Sequence, residues 1–221
     1  TCEASEMAKL AETTYRDVNI ALANQFAKFA ETANIDIAKV ISASNSQPFS
    51  HIHQPGIAVG GHCIPIYPRF YLWNDPEATV VRAAREANAG MPEHAVSILN
   101  TELGNLAGKK VAVLGISYRG GVKESAFSGV FPTVTALKSA GANVFVDDPM
   151  YTDEEIKALG FEVYKIGAQI DGVILQADHS EYKKLSAKDF PGAKCVVDGR
   201  RALNKANFGG ISLRVIGAPA Q

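Results

Sequence analysis

The second half of the chain alternates short, unbroken apolar runs with segments of helical character, and this alternation limits the possible folds more than any other feature. Helices are expected over 129–139 and 152–159, the second with Thr152 as N-cap and Glu155 completing a capping box. Strands that are apolar throughout are typical of a parallel sheet covered on both faces. The chain is therefore predicted to be an α/β protein that contains a doubly wound parallel sheet. The expected strands span residues 111–115, 142–147, 161–164, 171–176, 194–198 and 212–216.

The first half of the chain, residues 1–105, is predicted to be mostly helical. No glycine or proline interrupts residues 7–29, and apolar side chains recur there at helical spacing. A break is expected at 34–36, with Asp36 as the N-cap of the next helix. The elements expected after this break are a helix over 35–43, a loop over 44–68 and a helical stretch over 77–105 that kinks or restarts at 90–92.

The composition excludes several classes of protein. The 22 Lys and Arg against 23 Asp and Glu give a net charge of −1, so no basic excess points to nucleic acid or an anionic membrane. No apolar run approaches the roughly 18 residues that a membrane-spanning helix needs. The three cysteines, Cys2, Cys63 and Cys195, are too sparse and dispersed for a disulfide framework, so the cytoplasm is the expected compartment.

A glycine-rich loop over residues 55–65 is the most unusual segment, with the sequence Pro-Gly-Ile-Ala-Val-Gly-Gly-His-Cys-Ile-Pro. Glycines let a ligand approach the backbone closely, and the apolar residues after Cys63 suggest the start of a helix. A cysteine at a helix N-terminus has a stabilised thiolate, which is the setting of an activated nucleophile. The alternative is a small buried cysteine after a glycine-rich turn.

The histidines near the loop and a lysine on the first helix each have a further interpretation. His51, His53, His62 and Cys63 lie within 13 positions, but their spacing matches no closed zinc pattern, so no metal site is predicted. Lys9 lies on a polar stripe of the first helix. It could act as a general acid or base or stabilise an oxyanion, although a solvated lysine on a helix face is the common alternative.

The turn after the first predicted strand suggests an anion site. Residues 115–121 form a glycine-bounded turn, but they lack the GxGxxG fingerprint, so NAD is not expected to bind there. Arg119 in this turn is suited to a diphosphate, because ligands bind where the strand order of a doubly wound sheet reverses. Arg200, after a later strand, would add positive charge at the same edge. For each arginine the alternative is ordinary surface charge.

Four segments together resemble the UDP-glucose/GDP-mannose dehydrogenase family. They are EMAKLAETTYRDVNIALAN over 6–24, PGIAVGGHCIP over 55–65, VLGISYR over 113–119 and VDGR over 197–200. Their order and spacing match that family, and the GGHCIP form is similar to its UDP-N-acetyl-mannosamine and -glucosamine 6-dehydrogenase branch. The resemblance covers essentially the whole chain, and the cysteine loop is its most specific part.

The resemblance implies a domain organisation. Family members contain an N-terminal NAD-binding Rossmann domain, a central helical dimerisation domain and a C-terminal Rossmann-like domain that holds the nucleotide sugar. Residues 1–107 resemble the central domain and residues 108–221 the C-terminal domain, whereas nothing resembles the NAD-binding domain. The chain is therefore expected to be part of a longer, NAD-dependent enzyme, to form a homodimer or higher homo-oligomer, and to be inactive alone.

The resemblance also implies roles for individual residues. The family oxidises the C6 alcohol of a nucleotide sugar, here expected to be a UDP-N-acetylhexosamine, to a carboxylate with two NAD. Cys63 would capture the aldehyde as a thiohemiacetal that becomes a thioester, and Lys9 would be the active-site cation. The expected substrate-binding residues are Thr13, Val59, Gly60, Tyr118, Arg119 and Arg200.

Several positions depart from the family pattern. Thr13 replaces the usual Asn, and Tyr67 replaces an Asp credited with helping to activate water. Tyr118-Arg119 replaces Phe-Lys, and residues 126–129 replace an Arg-Glu-Ser-Pro signature whose arginine reaches towards NAD. The hydrolysis step is thus the part of the mechanism most affected. A non-catalytic nucleotide-sugar-binding or dimerisation module is the alternative function, and the presence of both Lys9 and Cys63 favours the enzyme.

Overall fold

The computed structural model describes residues 1–220, and its first half is helical. The long helix predicted from periodicity is confirmed as α1, and Asp36 is confirmed as an N-cap because its carboxylate accepts from the Ala38 amide at 3.0 Å. Gly90 separates two helices at the predicted restart. The helices of this half are α1 (Cys2–Thr32), α2 (Ile37–Ser44), α3 (Tyr67–Asn74), α4 (Thr79–Ala89) and α5 (Met91–Leu103).

The second half forms the predicted parallel sheet. Its strands are β1 (Lys110–Leu114), β2 (Asn143–Asp147), β3 (Glu162–Val163), β4 (Gly172–Leu175), β5 (Cys195–Asp198) and β6 (Ser212–Val215). They pair in the order β3-β2-β1-β4-β5-β6, and every pair is parallel. This is the strand order of a Rossmann fold, and it reverses between β1 and β4. The α/β fold predicted from the apolar runs is therefore confirmed.

The two faces of the sheet are covered differently. Helix α6 (Val130–Ser139) and helix α5 pack on one face, and α7 (Asp153–Ala158) begins with the predicted Thr152–Glu155 capping box. The other face is covered by short 3-10 helices, of which Tyr182–Lys184 and Lys205–Phe208 carry large buried aromatic side chains. These short turns suffice because Tyr182, Phe190 and Phe208 bury much apolar area per residue.

Helix α5 joins the two halves. It contacts α6, β4 and β5, and Leu99 lies so close to Gly172 that a Cβ added there would be 2.9 Å from a Leu99 methyl group. One apolar cluster runs from α1 and α2 through α5 to the sheet. The division of the chain at residue 107 thus remains a prediction, and by packing α5 belongs with the sheet.

Polar contacts also join the helical half to the sheet. Glu31, near the end of α1, accepts from the Gly217 amide at 2.7 Å and lies 2.9 Å from Nε2 of His94 on α5. Arg201 forms an ion pair with Asp36 at 2.9 Å. Over residues 1–220, none of the helices combines the length and hydropathy required to traverse a lipid bilayer.

Candidate functional site

The candidate site lies at the carboxyl edge of the sheet, where the strand order reverses. Tyr118 and Arg119 follow β1, and Arg200 follows β5, so the parallel strands bring these residues to one edge. The glycine-rich loop of residues 55–65 reaches this edge from the helical half. The site is therefore built by both halves of the chain.

Two asparagines hold the segment that leads into the glycine-rich loop. Asn19 on α1 donates to the His51 carbonyl at 2.7 Å and accepts from the His53 amide at 2.9 Å. Asn45, after α2, donates to the Ile52 carbonyl and accepts from the Ile52 amide, both at 2.9 Å. These side-chain amides satisfy backbone groups that a neighbouring strand would otherwise pair.

A buried polar network then fixes the start of the loop. Asn24 accepts from the Gly56 amide at 2.9 Å and donates to Asn88, which in turn donates to the Asp17 carboxylate at 2.8 Å. Arg85 donates to the same carboxylate oxygen at 2.6 Å. Burial raises the pKa of Asp17, and the Arg85 charge opposes this shift. Donation runs in one direction through this network, from the Gly56 amide of the loop to the Asp17 carboxylate.

The glycines at the centre of the loop lie on the Tyr118 side chain. A Cβ added to Gly60 would lie 2.5 Å from the Tyr118 Cβ and 3.0 Å from the Phe127 carbonyl oxygen. Gly61 has a φ of +92° and donates to the Ala126 carbonyl at 2.9 Å. Glycine is required at both positions, and the loop is held against the segment that follows β1.

Cys63 is exposed and does not lie at a helix N-terminus. Its carbonyl accepts from the Ile66 and Tyr67 amides at 3.1 and 3.0 Å, so a separate turn precedes α3, which begins at Tyr67. The prediction that a helix starts directly at Cys63 is therefore wrong by one turn, because Pro68 lacks an amide hydrogen and is accommodated in the first turn of a helix that begins at Tyr67. The neighbouring His62 lies 2.9 Å from Glu124, a residue of the β1–α6 connection.

Lys9 faces the turn that begins at Cys63. Its ammonium lies 3.1 Å from Glu12 and 5.4 Å from the centre of the Tyr67 ring. The hydrogen bond to Glu12 raises the pKa of Lys9, and the charges of Cys63 and Tyr67 add smaller increases. Lys9 and Tyr67 line a groove of about 470 Å³ between α1 and α3. A protonated amine is thus placed beside the cysteine turn.

Thr13 is not presented to this groove. Its side chain is fully buried, and its hydroxyl donates to the Lys9 carbonyl at 2.7 Å. The structure therefore does not bring Thr13 together with the other expected substrate contacts.

Val59 lines a second pocket, of about 410 Å³, whose wall also contains Arg69, Arg85 and Phe127.

Tyr118 and Arg119 lie at the tip of the turn after β1. Arg119 is exposed, and its guanidinium carbon lies 5.7 Å from the centre of the Tyr118 ring. Its Nε donates to the Tyr118 hydroxyl at 3.3 Å. The Tyr118 side chain therefore lies against Gly60 and Gly61, and the Arg119 guanidinium beside it is directed to solvent.

Arg200 has a different environment from the one predicted. Its Nε donates to the Gln176 carbonyl at 2.6 Å, and Nη2 lies 3.4 Å from the carbonyls of Ala58 and Tyr118. Burial lowers the pKa of Arg200, which nonetheless stays a cation at neutral pH because its ordinary value is so high. Arg200 therefore bridges three backbone segments instead of standing free at the edge, and Arg201 is held by Asp36.

The backbone amides of the turn after β1 are already bonded within the protein. The Ile116 and Ser117 amides donate to one Asp148 oxygen at 2.7 and 2.9 Å. The pyrophosphate of NAD needs free amides at this position in a Rossmann fold, so NAD does not fit this turn. Over residues 1–220, no group of three or more His, Cys, Asp or Glu side chains is arranged to hold a metal ion.

Sequence reasoning missed most of the residues that organise the site, among them Asn24, Glu124, Asp148 and His179, whose Nε2 lies 3.1 Å from Asp148. Asp148 carried a usable signal, since an aspartate directly after an apolar strand often lies at the ligand edge of a parallel sheet. Asn24, Glu124 and His179 carried no such signal, because their partners lie 31 to 64 positions away in the sequence.

Two protein-family models match most of the chain. Residues 3–90 match the central domain of the UDP-glucose/GDP-mannose dehydrogenase family, and residues 112–205 match its UDP binding domain. The chain belongs to this family. Both matched ranges contain parts of the site: Lys9 and the cysteine loop in the first, Tyr118, Arg119 and Arg200 in the second.

Individual relatives place the chain near one branch of the family. It is 36% identical to the UDP-N-acetyl-D-mannosamine dehydrogenase of Methanocaldococcus jannaschii over 91% of this chain and 48% of the relative. The corresponding enzyme of Pyrococcus horikoshii is 33% identical over 93% of this chain and 50% of the relative. The chain therefore spans about half the length of the curated relatives it matches.

Solved structures show the same fold. A UDP-D-ManNAc dehydrogenase from Pyrococcus horikoshii aligns with a TM-score of 0.81 and 31% identity, covering 96% of this chain and 51% of that one. A UDP-N-acetyl-mannosamine dehydrogenase from Staphylococcus aureus aligns with a TM-score of 0.80 and 34% identity, covering 96% and 50%.

Proposed function

We propose that this chain is the substrate-binding and catalytic-cysteine portion of an NAD-dependent nucleotide-sugar 6-dehydrogenase that acts on a UDP-N-acetylhexosamine. The names of the relatives support this substrate class. The observation that carries the proposal is the course of the cysteine loop. Gly60 and Gly61 lie on Tyr118 at the sheet edge, and the turn that begins at Cys63 lies beside Lys9.

The proposed chemistry at Cys63 follows from this placement. The thiolate adds to the C6 aldehyde, a C–S bond forms, and the carbonyl oxygen becomes an alkoxide. The Lys9 ammonium stabilises that negative charge, an effect that is largest in a preorganised site. Loss of a hydride from C6 would then convert the adduct to a thioester, and acceptance of that hydride is the chemistry that NAD would supply. Hydrolysis of the thioester takes up water and releases the carboxylate and the free thiol. Tyr67 cannot supply a carboxylate base for that step, so the attacking water needs another acceptor for its proton.

NAD dependence is proposed for the enzyme as a whole and not for this chain alone. The turn after β1 does not fit the cofactor, because the Asp148 carboxylate occupies its amides. What this chain contributes is a nucleotide-sugar site and a thiol. We further propose that the chain forms a homodimer and acts in the cytoplasm.

Trapping the aldehyde tests the proposal without NAD. The chain is incubated with a UDP-N-acetylhexosamine oxidised to the 6-aldehyde, and alkylation of Cys63 is followed by peptide mass spectrometry. The exposed Cys2 serves as an internal control, because its alkylation measures the activity of the reagent in the same sample. The aldehyde is expected to protect Cys63 more strongly than UDP does, and Lys9→Met is expected to weaken that extra protection.

The outcomes separate the two functions considered above. Equal protection by UDP and by the aldehyde would reject the catalytic role and favour a non-catalytic binding module. Calorimetry with UDP, GDP and NAD then tests the binding site itself. UDP is expected to bind and NAD is not, and tight binding of NAD to this chain would overturn the proposal.

A further inference from the structure

The turn that carries Tyr118 and Arg119 is held from inside the protein at both of its ends. At its start, the Ile116 and Ser117 amides donate to Asp148, which follows β2. At its end, the Gly120 amide donates to Asp178 at 3.0 Å, and the Gly121 amide donates to His179 at 3.3 Å. Four amides of one short turn therefore point inward.

Asp148 satisfies amides that directly follow β1, in the segment whose amides bind a ligand phosphate in dinucleotide-binding Rossmann folds. Its side chain is buried, and one oxygen accepts from two successive backbone amides and from the Ser117 hydroxyl at 3.1 Å. In a dinucleotide site, amides in this position donate to pyrophosphate. The Asp148 carboxylate thus satisfies the backbone amides at the start of the turn without any ligand.

His179 links the two ends of the turn. An amide N–H can only donate, so Nδ1 of His179 accepts from Gly121 and the ring proton lies on Nε2. Nε2 therefore donates to Asp148 at 3.1 Å. The ring is fully buried and packs edge-on against Tyr182, with 5.7 Å between the ring centres. One side chain with a single possible tautomer thus connects Asp148 to Gly121.

We propose that Asp148 and His179 are positioning residues for nucleotide recognition, which they preorganise by holding the turn so that Tyr118 and Arg119 are presented to the diphosphate. This proposal rests on the proposed function, because it takes the diphosphate site to lie at Arg119. It adds that recognition at this turn is made by side chains and not by backbone amides.

The two hydrogen bonds of His179 can be removed separately. His179→Asn keeps an acceptor near Gly121 but loses the donor to Asp148, whereas His179→Gln keeps a donor for Asp148 but loses the acceptor. His179→Phe removes both and preserves the ring. UDP affinity measured by calorimetry is expected to fall in the order wild type, then Asn and Gln, then Phe. The loss for Phe is expected to be about ten-fold, as for loss of a charge-assisted contact.

A double-mutant cycle with Arg119→Ala distinguishes positioning from general destabilisation. If His179 acts through the turn, His179→Phe weakens UDP binding much less once Arg119 is already alanine. Phe208→Leu is the matched control, because Phe208 stacks on Phe190 in the same core and does not bond the turn. It is expected to lower the melting temperature and to leave UDP affinity unchanged.

Failure of this proposal is distinguishable from failure of the proposed function. If wild type binds no UDP, the nucleotide site itself is rejected. If wild type binds UDP and the His179 variants bind it equally well, or if the effects of the two substitutions simply add, the positioning role is rejected and the site stands.

Discussion

At the scale of single residues, the cysteine loop depends on the absence of a side chain at Gly60. The backbone there touches Tyr118 and the Phe127 carbonyl, so the loop and the turn after β1 share one contact surface. Any change that separates the two surfaces moves the cysteine turn away from the nucleotide edge.

Gly60→Ala is therefore expected to destabilise the chain and release the loop. The new methyl group would lie 2.5 Å from the Tyr118 Cβ, and overpacking of this kind costs about 1–3 kcal/mol. Urea unfolding measures the loss. Gly209→Ala is the matched control, since a Cβ there meets nothing within 4 Å and its φ is −55°. Equal stability of the two variants would contradict the packing described.

Two adjacent carboxylates, Asp147 and Asp148, have pKa shifts of opposite sign. Burial raises the pKa of Asp147, and the hydrogen bond from Tyr182 opposes this only in part. Burial would raise the pKa of Asp148 too, but hydrogen bonds from His179 and from the Ser117 and Met150 amides outweigh it and lower the value. Hydrogen bonding to the charged form thus decides the sign at Asp148.

These shifts predict opposite contributions to acid stability. The stabilisation from Asp148 is fully present above its unfolded pKa of about 4 and is lost as pH falls through the lower folded value. Asp147 instead loses stability as pH rises from about 4 towards its raised value. In unfolding experiments from pH 2 to 7, Asp148→Asn is expected to flatten the acid loss, and Asp147→Asn to remove the loss at rising pH. Slopes that change in the same direction would contradict the assignment.

At the scale of elements, α1 has two faces with different partners. Its buried face is built of small and polar residues and packs on α3 and α4. The opposite face is apolar but uncovered within the single chain. Its exposed large side chains are Met7, Tyr15, Leu22, Phe26 and Phe29. An apolar stripe of this length is typical of an interface between subunits.

The proposed homodimer is expected to use this stripe. Leu22→Glu combined with Phe29→Glu would place charges in it, so sedimentation velocity should show a monomer where the wild-type chain shows a dimer. Ile166→Glu, at an exposed apolar position after β3, is the control and should leave the dimer intact. A wild-type chain that sediments as a monomer at high concentration would reject the dimer.

Elements whose signals are local could be predicted from the sequence. The spacing of apolar residues defined α1, the Thr152–Glu155 pair defined the start of α7, and the apolar runs defined the sheet. The start of α3 is later than the apolar residues after Cys63 suggest, because Pro68 lacks an amide hydrogen and fits only the first turn of a helix.

The environments of the site residues were less predictable, because they depend on distant contacts. The motif around Lys9 indicated a helix face but not that Thr13 would turn its hydroxyl back to the Lys9 carbonyl. Arg200 lies at the expected sheet edge, but its guanidinium satisfies carbonyls of three segments that only the folded chain brings together.

At the scale of the whole molecule, the apolar core does not stop at the predicted domain boundary. Met91 and Leu99 of α5 are fully buried in the cluster that also contains Ala27 of α1 and Val111 of β1. A fragment that begins at residue 108 therefore lacks α5, the helix that covers β4 and β5.

Fragments should show this boundary directly. A fragment of residues 91–221 is expected to unfold cooperatively, whereas one of residues 108–221 should bind a hydrophobic dye and melt without a sharp transition. Buried leucines replaced by alanine cost about 2–5 kcal/mol each, and the shorter fragment loses several such side chains. Circular dichroism and dye fluorescence make the comparison, and equally cooperative melting of both fragments would place the boundary at 107 after all.

Because Cys195 is buried, its reaction with a thiol reagent reports opening of the sheet. Its thiol lies in β5 between two neighbouring strands, and burial raises its pKa to about 12, while Cys2 and Cys63 are exposed. A thiol reagent should therefore modify two cysteines quickly and the third only when the sheet separates. The rate of the slow labelling phase, compared with the rate at Cys2, measures how often the centre of the sheet opens under native conditions.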